Sequence, residues 1–518
     1  MTPALPKTKT GVTGLDEITL GGIPTGRPTL ICGGPGCGKT LVSIEFIVRG
    51  ATQFNEPGVF VAFEEKAEEL VANTASLGFD LEKLIKSKKI KVDYVRIQRN
   101  EIEETGEYDL EGLFIRLGHA IDSIGAKRVV LDTIENLFAG LTNQGILRAE
   151  LRRLFNWLKE KGVTAIITGE RGEGKLTRHG LEEYVSDCVI LLDHRVVNQI
   201  STRRLRIIKY RGSFHGTNEY PFLIDEDGVT VLPVTSLKLD RGVSVERVST
   251  GIHSLDEMFG GKGFYRGSSI LISGMAGTGK TSMACYFASE ACKRKERSIF
   301  FAFEESPAQI VRNMKSIGLN LEPAIKKGLL QFHSARPALH GLELHLSTIY
   351  KVVREFKPTT VVLDPISNLI SVGMINEVNS MLLRLIDFMQ GEGITVVMTS
   401  LTDVKEERVN EGVSSLVDTW ISLKEIEANG ERNKFVYVRK SRGMKHSNQV
   451  RELIISSSGM ELAEIYLGPS GILVGSARKE QKQQELKGDE LKNQELRKAL
   501  ARRRQQDGTP HPKRNTSR

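Results

Sequence analysis

One short pattern, present twice, constrains this 518-residue chain more than any other feature. Residues 33–40 read Gly-Gly-Pro-Gly-Cys-Gly-Lys-Thr and residues 274–281 read Gly-Met-Ala-Gly-Thr-Gly-Lys-Thr, so G-x-x-x-x-G-K-T occurs two times. Each copy follows a short apolar run, residues 29–32 or 269–272, suited to a buried strand. Each precedes a stretch free of glycine and proline, residues 41–48 or 282–291, suited to a helix. Strand, glycine loop and helix in that order give the pattern its chemistry. The loop's N–H groups and the helix N-terminus face an anion, the lysine reaches the β and γ phosphates, and the threonine holds Mg²⁺. An incidental glycine-rich turn accounts poorly for two full copies in the same setting. The pattern therefore predicts two ATP sites. Their cradles are Gly33, Gly34, Gly36, Cys37, Gly38, Lys39, Thr40 and Leu41 in one, and Gly274, Gly277, Thr278, Gly279, Lys280, Thr281 and Ser282 in the other.

The duplication extends well beyond the loops. Phe60-Val61-Ala62-Phe63-Glu64-Glu65 matches Phe300-Phe301-Ala302-Phe303-Glu304-Glu305, and Val129-Val130-Leu131-Asp132 matches Val361-Val362-Leu363-Asp364. Lys209-Tyr210-Arg211-Gly212 through His215 matches Lys440-Ser441-Arg442-Gly443 through His446. The offset between copies falls only from 241 residues at the loop lysines to 231 at these basic segments. Two whole domains stand in tandem, as the length already suggests. We place them at residues 1–237 and 238–475, with a polar basic tail at 476–518. Apolar runs alternating with helical stretches predict an α/β fold in each, a mainly parallel sheet covered by helices. Residues 477–504, rich in Lys, Glu, Gln and Leu but without a heptad, read as a marginal polar helix, and residues 507–518 as a disordered end.

Hydrolysis needs a metal partner and a group that orients water as well as a phosphate loop. Asp132 and Asp364 follow three apolar residues and fit the end of a strand, where a carboxylate reaches the Mg²⁺ shell; an ordinary strand-end aspartate is the alternative. Glu64-Glu65 and Glu304-Glu305 close the strand after each loop helix and suit a general base and its positioning partner. Acidic residues attracted to a helix N-terminus read the same way locally. Lys209 with Arg211, and Lys440 with Arg442, lie two apart on predicted strands and so share one face. Such pairs suit cations delivered to a phosphate by a neighbouring subunit, and equally a solvated basic face.

Net charge is +8, but residues 478–518 hold 13 Lys/Arg against 6 Asp/Glu, a surplus of 7 that leaves the rest of the chain near +1. A near-neutral body argues against specific nucleic-acid binding, and a basic tail supports only weak, salt-sensitive contacts. Cys32, Cys37, Cys188, Cys285 and Cys292 show neither paired nor metal-ligand spacing, which suits a reducing compartment. No run of eighteen apolar residues and no apolar leader occurs, so no membrane span and a cytoplasmic location are expected.

The doubled loops, the doubled Phe-Glu-Glu segments, residues 182–187 (Glu-Glu-Tyr-Val-Ser-Asp) and residues 209–215 followed by Glu219-Tyr220-Pro221-Phe222 resemble the KaiC family of tandem RecA-like ATPases and autokinases, over about residues 11–462. The resemblance implies a double-ring homohexamer with ATP between adjacent subunits. It implies hydrolysis in the first ring with Lys39, Thr40, Glu64, Glu65 and Asp132, and with Lys209, Arg211 and His215 from the neighbour. In the second ring it implies phosphate transfer to the protein's own hydroxyls, and its reversal, with Lys280, Thr281, Glu304, Glu305 and Asp364, and with Lys440 and Arg442 from the neighbour. Metal contacts would come from Thr40, Asp132, Thr281, Glu304 and Asp364, and further ATP contacts from Ser76, Tyr210, Ser213 and Ser441. The family's acceptor pair falls on Ser414-Ser415, although nothing local marks a phosphoacceptor; at the matching place in the first domain stand Glu183 and Tyr184. Ser415 stands where the family has threonine, and Val409 where it has another. A KaiB-like partner is implied. The tail departs from the family's KaiA-binding end, so KaiA is not expected. Two other classes share some features: a RecA-like DNA-dependent ATPase, through the phosphate loops and basic tail, and a nucleotide-gated signalling scaffold.

Overall fold

The structure is a computed structural model, and it describes residues 5–75, 77–95, 110–138, 144–172, 174–178, 180, 186–197, 200–232, 244–337, 341–371, 375–402, 413–428, 431–468 and 471–473, with isolated tail positions 476, 480, 481, 483, 487 and 492. Those tail positions have helical backbone; the other tail residues, together with Ser76, Glu183, Tyr184 and Val409, lie outside the described residues.

Each repeat builds one nine-stranded sheet. In the first these are β1 (Pro28–Gly33), β2 (Gly58–Ala62), β3 (Ile90–Tyr94), β4 (Arg128–Asp132), β5 (Thr164–Glu170), β6 (Cys188–Val197), β7 (Ile200–Tyr210), β8 (Glu219–Asp225) and β9 (Gly228–Val231). Their spatial order is 3-2-4-5-1-6-7-8-9, parallel from β3 through β6 and antiparallel from β6 to β9. The second sheet uses β10 (Ser269–Gly274), β11 (Ser298–Ala302), β12 (Leu330–Ser334), β13 (Thr360–Asp364), β14 (Thr395–Leu401), β15 (Thr419–Ala428), β16 (Glu431–Ser441), β17 (Arg451–Ser456) and β18 (Gly459–Glu464). It has the same order, 12-11-13-14-10-15-16-17-18. The two sheets share one topology, the α/β arrangement expected of tandem RecA-like domains.

A parallel strand with both faces covered carries no polar alternation, and β1, β2 and β4 show why. Ile31, Phe60, Ala62 and Val130 face one core, shared with Ile44, Ile47 and Val48 of α1 (Lys39–Gln53). Leu30, Cys32, Val59, Val61, Val129 and Leu131 face the other, shared with α3 (Glu111–Ile124) and α4 (Gln144–Glu160) through Phe114, Leu151 and Phe155. In the chain α2 (Ala67–Ala75) comes between α1 and α3, and its Leu70 joins the first core. The same succession gives α5 (Lys280–Lys293) and α6 (Pro307–Ser316) in the second repeat, whose core joins Ile270, Ile272, Phe300 and Val362 to Met283 and Phe287.

One buried charge ties the first repeat together. The Arg128 guanidinium is 1% exposed, donates to Glu56 at 2.7 Å and to the carbonyls of Phe46 at 2.7 Å and Lys9 at 2.8 Å, and lies 4.4 Å from the Phe46 ring centroid. Burial lowers its pKa, and Glu56 opposes that shift. Truncation would take a donor from three carbonyls, that of Thr10 at 3.4 Å included, and open a cavity. Arg128→Ala is therefore expected to destabilise the first repeat by about 2–4 kcal/mol. A thermal transition of that repeat unchanged by the substitution would contradict this packing role.

Candidate nucleotide sites

At the end of each central strand the chain turns through the glycine loop into a helix. Gly38 and Gly279 hold the N-cap positions of α1 and α5 with φ of 101° and 103°. A Cβ on Gly38 would lie 2.9 Å from Ile224 Cδ1, and one on Gly279 2.9 Å from Ile455 Cδ1, so only glycine satisfies both the conformation and the space. Side chains on Gly34, Gly36 or Gly277 would meet nothing within 4 Å; the loop is open where a phosphate would lie. Lys39 is buried and donates to the carbonyls of Gly33 at 3.0 Å and Gly34 at 3.1 Å, and Lys280 donates to that of Met275 at 2.7 Å. Burial lowers the Lys280 pKa, with Asp364 and Glu304 opposing it. A cavity of about 400 Å³ in the first repeat is lined by Gly36, Lys39, Thr40, Ile44, Arg203 and Ile224, among others.

Parallel register brings the rest of the site to the loop. Ala62 pairs with Asp132 across β2 and β4, and Leu131 with Ile167 across β4 and β5, so Asp132 ends its strand beside Thr168. Thr40 Oγ1 donates to Asp132 Oδ2 at 2.9 Å while Thr168 Oγ1 donates to Oδ1. In the second repeat Thr281 donates to Asp364 at 3.2 Å and Thr399 to the same carboxylate. Burial raises both aspartate pKa values, and the threonine hydrogen bonds and loop lysines pull the other way. Among the described residues no group of three or more His, Cys, Asp and Glu could hold a metal by itself. A hydroxyl beside one carboxylate nevertheless fits Mg²⁺, which takes few protein oxygens when phosphates supply others.

The paired glutamates sit just beyond β2 and β11. Glu64 accepts from Thr133 at 3.1 Å and Asn136 at 2.8 Å, whereas Asn368, the counterpart of Asn136, donates instead to the Phe303 carbonyl at 3.5 Å. Glu65 accepts from Asn73 at 3.4 Å and Glu305 from Asn313 at 3.1 Å, each asparagine in the second turn of the next helix. A reciprocal Ser306–Gln309 capping box starts α6 and fixes the chain direction after Glu305.

The basic segments depart from the reading of a shared strand face. Lys209 and Lys440 lie on β7 and β16, but Arg211 and Arg442 come after the strand ends, where Gly212 and Gly443 turn the chain with φ of 79° and 67°. Arg211 lies 3.9 Å from the buried Asp187, which also meets Lys159 at 2.6 Å. Lys440 donates to the carbonyls of Ser414 at 2.6 Å and Val417 at 2.8 Å, and Arg442 to that of Ser415 at 2.7 Å. Both cations therefore grip the short helical turn that carries the serine pair. The Tyr210 side chain is buried, its hydroxyl donating to the Gly22 carbonyl at 2.9 Å, so its contribution to a ligand would be backbone. Ser213 donates to the Phe214 carbonyl at 2.8 Å, His215 lies by the Ser213 carbonyl at 3.5 Å, and Ser441 by Thr419 at 3.2 Å.

The family model described as "ATPase: KaiC" matches both halves of the chain, at residues 8–236 and 248–466. A "Circadian clock protein KaiC2" of Synechocystis sp. is 55% identical over 507 residues, covering 97% of this chain and 87% of that protein. The chain belongs to the KaiC family. "Circadian clock oscillator protein KaiC" of Synechococcus elongatus is 37% identical over 478 residues, 91% of this chain and 92% of its own length, and that of Parathermosynechococcus lividus is 37% identical over 477 residues, 91% and 88%. Nucleotide binding is thus a property of the family to which this chain belongs. Among its described residues no helix is long and apolar enough to cross a membrane.

Three pairs escaped the reading of the sequence. Thr168 and Thr399, Asn73 and Asn313, and Arg203 with Lys434, whose Nζ donates to the Gly277 carbonyl at 2.7 Å, all recur at the repeat offset. Superposing the two halves position by position would have exposed them. Thr168→Val removes the donor that orients Asp132 while keeping its shape. We expect ATP turnover by a Lys280→Ala chain to fall about tenfold or more on adding it, as for other residues that orient a metal ligand. Unchanged turnover would show that the carboxylate needs no such help.

Proposed function

We propose that this member of the KaiC family is a hexameric ATPase and serine autokinase, with its domains at residues 1–237 and 238–475 and its tail at 476–518. ATP would lie at subunit interfaces, held through Lys39 and Thr40 in one ring and Lys280 and Thr281 in the other. Its relatives' names suggest circadian or other timing work; a KaiB-like partner is what the family resemblance adds, and the composition suits the cytoplasm. Mg²⁺ would be held by Thr40 and Asp132, and by Thr281 and Asp364 with Glu304 nearby, and supplies charge neutralisation of the phosphates.

In the first domain Glu65, held by Asn73, and Glu64, held by Thr133 and Asn136, suit the acceptance of a proton from attacking water. In the second, Glu304 and Glu305 would take the proton of a serine hydroxyl as its oxygen bonds to the γ phosphorus and the bridging bond to the β phosphate breaks, leaving ADP. Reversal remakes ATP and frees the serine. The observation that carries this reading is the grip of Lys440 and Arg442 on the carbonyls of Ser414, Ser415 and Val417. A phosphate on either serine adds about −1.5 to −2 charge beside two cations already at hand.

Incubation with ATP and Mg²⁺ followed by phosphopeptide mass spectrometry tests it. Phosphate is expected on Ser414 or Ser415, lost in Lys280→Ala and retained in Lys39→Ala. Unmodified serines in the wild-type chain would remove the autokinase and leave an ATPase.

A further inference from the structure

The hairpin of β8 and β9 folds over the start of α1, where Ile224 packs on Gly38 and lines the cavity beside Lys39 and Thr40. What fastens it is a charged pair in the middle of α1. Glu45 is completely buried, accepts from the Val229 N–H at 2.6 Å and from Arg49 Nε at 3.2 Å. Arg49 Nη2 donates in turn to the Asp227 carbonyl at 2.8 Å, and the guanidinium lies 5.4 Å from the Phe79 ring centroid. The fit is close: a Cβ on Gly228, whose φ is 106°, would lie 2.6 Å from Glu45 Oε2. The second repeat solves the same problem without charge. There Tyr286 occupies the place of Glu45 and its hydroxyl accepts from the Met460 N–H at 3.1 Å, while Arg49 is replaced by Glu290. The tips differ in the same sense, Asp225-Glu226-Asp227 against Ser456-Ser457-Ser458.

We propose that Glu45 and Arg49 are positioning residues of the first nucleotide site, an ionic latch that holds the β8–β9 hairpin and Ile224 against the loop helix, so that nucleotide affinity depends on it there and not at the second site. This rests on the reading of the cavity as a nucleotide site. A buried carboxylate bound to a backbone N–H and an arginine stays in place only while both partners remain, so loss of either side loosens the β8–β9 turn against α1 while the strands stay paired in the sheet.

The test is equilibrium binding of a fluorescent ATP analogue to the full Lys280→Ala chain, which isolates the first site, with amide exchange of residues 219–231 measured alongside. Glu45→Ala is expected to weaken binding about tenfold, the loss of one charge-assisted hydrogen bond, and to speed exchange at Val229. Glu45→Gln, which keeps an acceptor for Val229, should restore most of the affinity. Arg49→Met, at a partly exposed side chain, should weaken binding in the same direction and serves where Glu45→Ala does not fold. Tyr286→Phe should leave the first site unchanged. Parental affinity in both Glu45→Ala and Arg49→Met, or in Arg49→Met alone where the other is unfolded, overturns the latch. Absence of binding in the Lys280→Ala parent overturns the nucleotide reading itself.

Discussion

The hydrogen bond from Thr40 to Asp132 joins the first turn of the loop helix to the end of a strand 92 residues further on, and the rest of each repeat is arranged so that it forms. It needs β1 and β4 in one parallel sheet with β5 between them, which fixes the crossovers and makes the strands apolar on both faces. It also needs the helix to begin at the lysine itself, which the left-handed glycines at 38 and 279 allow. Because the contact is buried, the carboxylate has lost water and depends on Thr40 and Thr168 for its remaining hydrogen bonds. Thr281, Asp364 and Thr399 reproduce the whole unit, so the duplication preserved the geometry as well as the pattern.

Around this shared centre the halves have diverged. Glu64 is bound by two side chains of its own repeat, whereas Asn368 turns to a main-chain carbonyl. Arg203 and Lys434 occupy the same place with different reach and hydrogen-bonding geometry. The hairpin beside the loop is fastened by ions in one copy and by a phenol in the other. A protein with two identical sites would need none of these differences. They bear on the different tasks proposed above for the two sites.

How much of this was legible in the sequence depends on whether a residue's role is local. The loops, Asp132, Asp364 and the glutamate pairs each carry a short-range signature, and the repeat brought the two sets into line. Thr168 escaped because nothing about a threonine in an apolar strand predicts its neighbour; the register of β4 with β5 does. Asn73 and Asn313 escaped because their partners lie a bend and nearly two turns of helix away. Lys209 and Arg211 looked like a strand pair from their spacing, yet β7 ends at Tyr210 because Gly212 turns the chain. Alternation along a strand cannot announce where the strand stops.

The central claim is that both repeats are working nucleotide cradles in the same chain. Nucleotide stoichiometry, by extraction and quantification from the purified assembly in Mg²⁺ and saturating ATP, bears on it most directly. The account predicts two nucleotides per chain in the wild type and one in either Lys39→Ala or Lys280→Ala. One per wild-type chain, unaffected by one of the two substitutions, would contradict it.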